Sequence, residues 1–298
     1  MTAIVSSARR VPEPPDPAPL VSVVIAAYNW SSVLRYSIRS VLRQTYPNLE
    51  LLVIGDACTD DSAAVVASFG DPRVRWQNLA SNCGSQTGPN NRAIELARGG
   101  YIAYLGQDDV WHPAHLAWAM HAIEAEDADI VHTLTSMIGP SGSRVRRLAG
   151  LSPQIPDTIG EYVPTCSWLH TRELAERIGG WADWRTIDEA PDTEFLDRCR
   201  QAGARFAVAR ALTAYKFAST QRPNSYIEGA SHEQAQISAR IESQRWFVER
   251  ELMRLVARRL SPLPERPHQG PFERRGPGGI VEQARQIRGL DANDGPRS

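Results

Sequence analysis

Residues 21–29 read VSVVIAAYN, and the reading of this stretch decides the fold class. Val21–Ala27 is a β-branched apolar run, the pattern of a strand buried on both faces. Working outward, Ser32–Gln44 follows with Val33, Leu34, Ile38, Val41 and Leu42 on one helical face. LELLVI (49–54) is a second strand, Asp61–Phe69 a helix and Val74–Gln77 a short strand. Gly88–Arg98 is a helix, YIAYL (101–105) a strand and Pro113–Glu124 another helix. Strand and helix alternating through short connections predict an α/β fold: a Rossmann-like, mostly parallel sheet flanked by helices.

The second half is less regular. Asp129–Met137 reads as a strand, and Thr171–Ile178 and Asp192–Ala202 read as helices. Arg205–Ala209 and Leu212–Phe217 read as two short strands. One long helix is expected over His232–Leu260, with Ile237, Phe247, Leu252 and Leu255 among its apolar positions. Proline and charge dominate residues 1–19 and 262–298, so both ends are expected to be disordered. The expected organisation is one domain over 20–230 with a helical C-terminal extension over 231–261.

Composition excludes several classes. The 298 residues are 42% hydrophobic and 22% charged, with a net charge of -1. That balance argues against a general nucleic-acid binder, which needs a basic excess, and leaves a nucleotide ligand open. Lys216 is the only lysine. The four cysteines form no CxxC pair, which argues against a zinc site or a disulfide framework. The N-terminus shows no signal-peptide core, and no apolar run approaches the ~18 residues of a membrane span, so a cytoplasmic protein is expected. The apolar and basic sides of the His232–Leu260 helix could rest on a membrane surface, or the helix could pack on its own domain and expose its arginines to water.

In open parallel sheets, ligands bind beyond the carboxyl ends of the strands. Tyr28 and Asn29 follow the first strand, Asp56 the second, and Asp108 and Asp109 the strand YIAYL. Adjacent carboxylates repel, and a hard cation such as Mg²⁺ or Mn²⁺, shared with substrate phosphates, would compensate them. The same pair could instead cap the helix that begins near Pro113. Tyr28 could stack on a nucleobase or only pack, and Asp56 could accept from a base N–H or serve the turn GDACTDDS. No P-loop lysine and no GxGxxG after the first strand are present, so nucleotide hydrolysis and dinucleotide redox chemistry fit poorly.

These segments together resemble the family 2 glycosyltransferases, which have the GT-A fold. VSVVIAAYN is similar to the family's opening strand, IRSVLRQTYP to its first helix and turn, and ELLVIGDACTDDS to its nucleotide loop. NCGSQTGPNNRAIELARGGYIAYLGQDDVWHPAHL is similar to the stretch leading through its metal-binding acidic motif. The resemblance implies an inverting transferase acting on a nucleoside-diphosphate sugar, UDP-sugars being favoured, with a saccharide or lipid-linked acceptor. It implies Ala26, Tyr28 and Asp56 at the nucleoside, Asp108 at the donor ribose or sugar, and Asp109 on Mn²⁺ or Mg²⁺. In APDTEFLDR it places Asp192 at the catalytic base, with Glu194 as runner-up. Trp168, His170 and Trp181 fall on the acceptor side; Trp168 and His170 are residue types more often used in packing or capping, and core packing is an equal reading for Trp181. Gly55 stands where the family's nucleotide loop begins with aspartate, and Pro191 where an acid precedes the base. Those departures favour an alternative, a catalytically inactive nucleotide-sugar-binding protein of the same fold.

Overall fold

The computed structural model describes residues 11–143, 145–151, 163–259 and 276–290. The first half runs β1 (Val21–Ala27), α1 (Ser31–Leu42), β2 (Leu49–Gly55), α2 (Ser62–Ala67), β3 (Val74–Asn78), α3 (Thr87–Leu96), β4 (Tyr101–Tyr104), β5 (Val110–Trp111) and α4 (His115–Ala125). The second half runs β6 (Ile130–Ile138), β7 (Arg146–Ala149), β8 (Trp168–Thr171), α5 (Arg172–Ile178), α6 (Pro191–Gln201), β9 (Phe206–Phe217), α7 (Ser225–Glu228), α8 (His232–Ser243), α9 (Phe247–Arg259) and α10 (Gly279–Ile287).

The strands form one sheet in the order β3-β2-β1-β4-β8-β6-β9-β5, with β7 on β6. β3, β2, β1 and β4 are mutually parallel. β8 then runs antiparallel to both β4 and β6, and β9 returns parallel to β6. β1 is central, which explains its unbroken apolar run. Val23 and Ile25 pack toward Leu34 and Ile38 of α1 and Leu116 and Met120 of α4. Val24 points the other way, into a core with Ala93 of α3, Leu174 of α5 and Phe195 of α6. Each such side chain contributes about 1.5–3 kcal/mol by leaving water.

Three expectations change. The two strands Arg205–Ala209 and Leu212–Phe217 are one strand, β9. Ala209 pairs with Thr133 and Leu212 with Leu134, so the intervening residues form a bulge that breaks the apolar pattern. The single long helix is two. Ile237 of α8 packs beside Val110 and Tyr215, whereas Leu252 and Leu255 of α9 pack beside Leu148 and Leu212, and the chain bends after Ser243 to reach both patches. The apolar side considered for a membrane therefore covers the chain's own sheet. The 262–298 stretch, expected to be disordered, contains α10, an amphipathic helix that buries Val281 and Ala284. At the other end, residues 1–10 lie outside the described residues. Ala18 and Pro19 are tied down, their carbonyls accepting from Asn48 Nδ2 at 2.8 Å and Tyr46 Oη at 2.7 Å. No helix among the described residues is long and apolar enough to cross a membrane.

Candidate active site

The carboxyl ends of β1, β2 and β4 open into a cavity of about 960 Å³. Ala26, Tyr28, Asp56, Asp108, Asp109 and Asp192 all line it, although they come from four separate segments. The topology alone accounts for the first five, because parallel neighbours end on the same edge. Asp192 arrives from the opposite wall, in the first turn of α6.

Each acid is held differently. The Asp56 amide donates to Ala27 O at 2.8 Å, and its carboxylate accepts from Cys83 N at 2.6 Å and Gly84 N at 3.1 Å. Burial raises the Asp56 carboxyl above its ordinary range, against those two amide bonds and the nearby charge of Arg285. A carboxylate offers about four acceptor positions, so Asp56 keeps capacity toward the cavity. Tyr28 is fixed through its backbone: Gln107 Oε1 accepts from Tyr28 N at 2.8 Å, and Gln107 Nε2 donates to Tyr28 O at 3.2 Å.

Asp108 and Asp109 are held in different ways. The Asp109 side chain is wholly inaccessible. One of its oxygens accepts from Phe217 N at 2.9 Å, the other from Lys216 Nζ at 3.3 Å. Asp109 thus pins β9 to the end of β4, and it also lines the cavity beside Asp108. Burial, and then the charge of Asp109, push the Asp108 carboxyl up to about 6, against the opposing pull of Lys216 and Arg288. Asp108 therefore carries the negative charge still short of a partner. Among the described residues no group of three or more His, Cys, Asp or Glu side chains gathers. The donor set fits a hard cation held by Asp108 and completed by substrate phosphates and water, not a cage made by protein alone.

Asp192 is buried at the helix start, where its Oδ1 accepts from Thr193 N at 3.1 Å. Pro191 occupies the first helical turn, a position that needs no N–H donor and suits the fixed φ of proline. The runner-up Glu194 is clamped by Arg198, whose Nη2 lies 2.8 Å from Oε2, and it does not line the cavity. Gly55 also has a local cause. A Cβ there would lie 2.6 Å from the Trp76 ring and against the Asn78 amide, which bridges Cys58 N and O at 2.8 and 2.9 Å.

Trp168, His170 and Trp181 do not reach the cavity. They form a buried aromatic cluster with Phe195, in which Trp168 and Trp181 stack at 6.1 Å and Trp181 and Phe195 at 4.6 Å. Both His170 Nε2 and Trp181 Nε1 meet Tyr104 Oη at 3.1 Å. The residues expected on the acceptor side thus lie in the core: Trp168 and His170 sit on β8, inserted between β4 and β6, and Trp181 stacks on Trp168 from the segment after α5. The sequence reading missed Gln107, Lys216, Arg285 and Arg288, all of which line the cavity. Gln107 was legible as the neighbour of Asp108, and Lys216 as the only lysine. The arginines belong to GIVEQARQI, whose apolar period lies in a stretch dominated by proline and charge.

Comparison with known proteins agrees with this geometry. The sequence model described as Glycosyl transferase family 2 matches residues 22–166. The chain carries a family 2 glycosyltransferase domain over that segment. Over 108 residues it is 35% identical to the Escherichia coli protein named UDP-Glc:alpha-D-GlcNAc-diphosphoundecaprenol beta-1,3-glucosyltransferase WfaP, covering 36% of this chain and 42% of that protein. It is 34% identical over 131 residues to the succinoglycan biosynthesis protein ExoO of Rhizobium meliloti, covering 44% and 37% respectively. The chain thus spans less than half the length of these relatives. Among solved structures, the 1–349 fragment of S. aureus TarS in complex with UDP-GlcNAc is similar at a TM-score of 0.56 and 19% identity, covering 80% of this chain and 72% of that one. The mannosyltransferase PcManGT of Pyrobaculum calidifontis, in complex with GDP-Man and Mn²⁺, is similar at 0.53 and 16%, covering 80% and 74%. At these identities the likeness establishes the shared fold.

Proposed function

We propose that this chain transfers a sugar, with inversion, from a nucleoside-diphosphate sugar to an acceptor hydroxyl. The observation that carries the reading is the convergence of Ala26, Tyr28, Asp56, Asp108 and Asp192 on one cavity from four segments of the chain. Ala26, Tyr28 and Asp56 form the nucleoside end: Tyr28 offers a ring face to the base, and Asp56 accepts from a base N–H. Asp108 holds the divalent cation, Mn²⁺ or Mg²⁺, which when bound neutralises charge on the departing diphosphate. Lys216 and Asp109 keep the end of β9 against that carboxylate.

Asp192 is the base. It takes the proton of the acceptor hydroxyl as the new bond forms at the anomeric carbon, while the bond from that carbon to the diphosphate oxygen breaks and its electron pair leaves with the diphosphate. Gly55 and Pro191 each have a packing or helix-start reason, so neither supports an inactive protein.

The names of the relatives favour a UDP-sugar and a lipid-linked acceptor in glycolipid or polysaccharide assembly. Trp246 and Met253, 53% and 58% exposed, lie seven residues apart beside Arg250 and Arg254 and offer a peripheral contact to an anionic membrane, where such an acceptor resides. The test is release of UDP from UDP-glucose with a diphosphoundecaprenol-linked GlcNAc acceptor. Asp192→Asn keeps donor affinity and loses turnover by about 10²–10⁴-fold. Full turnover in that variant would overturn the assignment.

A further inference from the structure

α10 lies far beyond the family-matched segment, yet it forms a wall of the cavity. Two loops hold it. Asn224 N donates to Ile287 O at 2.8 Å, and Gly278 N donates to Ile187 O at 2.8 Å. Its two inward arginines stand three residues apart, one helical turn, and so share a face. Arg285 is 6% exposed, and its Nη1 donates to Gly84 O at 3.1 Å. The Asp56 carboxylate grips the N–H of that same glycine. Arg288 donates from Nε to Ser219 Oγ at 2.9 Å and lies over the Tyr226 ring at 5.6 Å. No hydrogen bond from its Nη groups is made among the described residues. The field of Arg285 reaches Asp56 and the field of Arg288 reaches Asp108.

A diphosphate entering a cavity lined by four carboxylates meets repulsion, and the one lysine there is already paired with Asp109. The cation at Asp108 offsets part of this. Arg146, also on the cavity wall, is engaged at 2.6 Å with Glu251. Of the cations whose charge acts on Asp108, Lys216 and Arg288, the second keeps two donors in the fork geometry that suits phosphate.

We propose that α10 is the cationic half of the donor site: Arg288 receives the donor diphosphate beside Asp108, and Arg285 fixes the Gly84 loop at the nucleoside end. The inference rests on the donor reading above and adds residues to it. The test is calorimetric titration of the full chain, in Mn²⁺, with UDP, GDP and dTDP and with the matching nucleosides. For the nucleotide that binds, Arg288→Gln weakens the diphosphate by about tenfold or more and its nucleoside by less than about twofold, as expected for loss of a charge-assisted phosphate contact. Arg288→Lys recovers part of the loss. Glu282→Gln, on the exposed face of α10, changes neither affinity. Equal weakening of diphosphate and nucleoside would mean that Arg288 only props up α10, and unchanged diphosphate affinity would mean that it does not touch the donor; either overturns the inference alone. Wild-type chain that binds none of the three diphosphates overturns the donor reading itself, and the inference with it.

Discussion

Replacing Asp108 with asparagine should stabilise the unliganded protein while disabling it. The carboxyl is held at about 6 against an ordinary 3.8, chiefly by burial and next by the charge of Asp109. Each pH unit of such displacement corresponds to about 1.4 kcal/mol, so ionised Asp108 costs the fold up to about 3 kcal/mol near neutrality. The sign follows from proton counts. Between the two values the native state holds more protons than the unfolded chain, so wild-type stability falls as pH rises through that window. Asparagine keeps the shape and removes the charge. Its advantage is therefore full above about pH 6 and vanishes below about pH 4. At about 2–4 °C per kcal/mol for a chain of this size, Tm at pH 8 rises by several degrees. Melting curves of both proteins at pH 4 and pH 8, followed by circular dichroism, check this. Mn²⁺-dependent donor binding by the variant should be lost in the same buffer. A variant that melts at or below the wild-type temperature at pH 8, or whose gain does not change with pH, would refute the reasoning.

Lys216→Met leaves the wholly buried Asp109 without its cationic partner, and unpairing a buried ion pair costs roughly 3 kcal/mol or more; denaturant unfolding reads the loss, and Asp109→Asn in the same chain should recover much of it. Glu194→Gln breaks a partly exposed pair with Arg198 and costs about 1 kcal/mol or less, with turnover kept near wild type, in contrast to Asp192→Asn. Trp168→Phe removes core volume and the bond to Val163 O at 3.2 Å, so it lowers stability by about 1–3 kcal/mol and leaves the acceptor KM unchanged.

The parallel half of the sheet and the gathering of Ala26, Tyr28 and Asp56 at its carboxyl edge were legible because they follow from local pattern. An apolar run such as Val21–Ala27 has one good home, the middle of a parallel sheet, and the residues after it must then lie on the ligand edge. The anchoring of Asp109 was not legible, because it depends on Phe217 and Lys216, more than a hundred positions away. Trp168, His170 and Trp181 resemble a sugar platform in composition; the insertion of β8 between β4 and β6 buries the first two, and Trp181 then stacks on Trp168 and Phe195. The break between α8 and α9 is likewise set by two separate sheet patches and not by a helix-breaking residue. α10 went unseen because nine residues of amphipathic period sit in a stretch whose proline and charge content dominates any longer window.

The central claim is that one cavity binds a metal-bridged nucleoside-diphosphate donor through Asp56 and Asp108. The most direct measurement is titration calorimetry of the full chain with UDP-sugars and GDP-sugars, with and without Mn²⁺, on wild type, Asp56→Ala and Asp108→Asn. The account predicts one-site binding of a donor to wild type that Mn²⁺ strengthens, that weakens in Asp56→Ala with or without metal, and that loses its metal dependence in Asp108→Asn. Binding that is indifferent to Mn²⁺ and to both substitutions, or no binding by wild type at all, would contradict it.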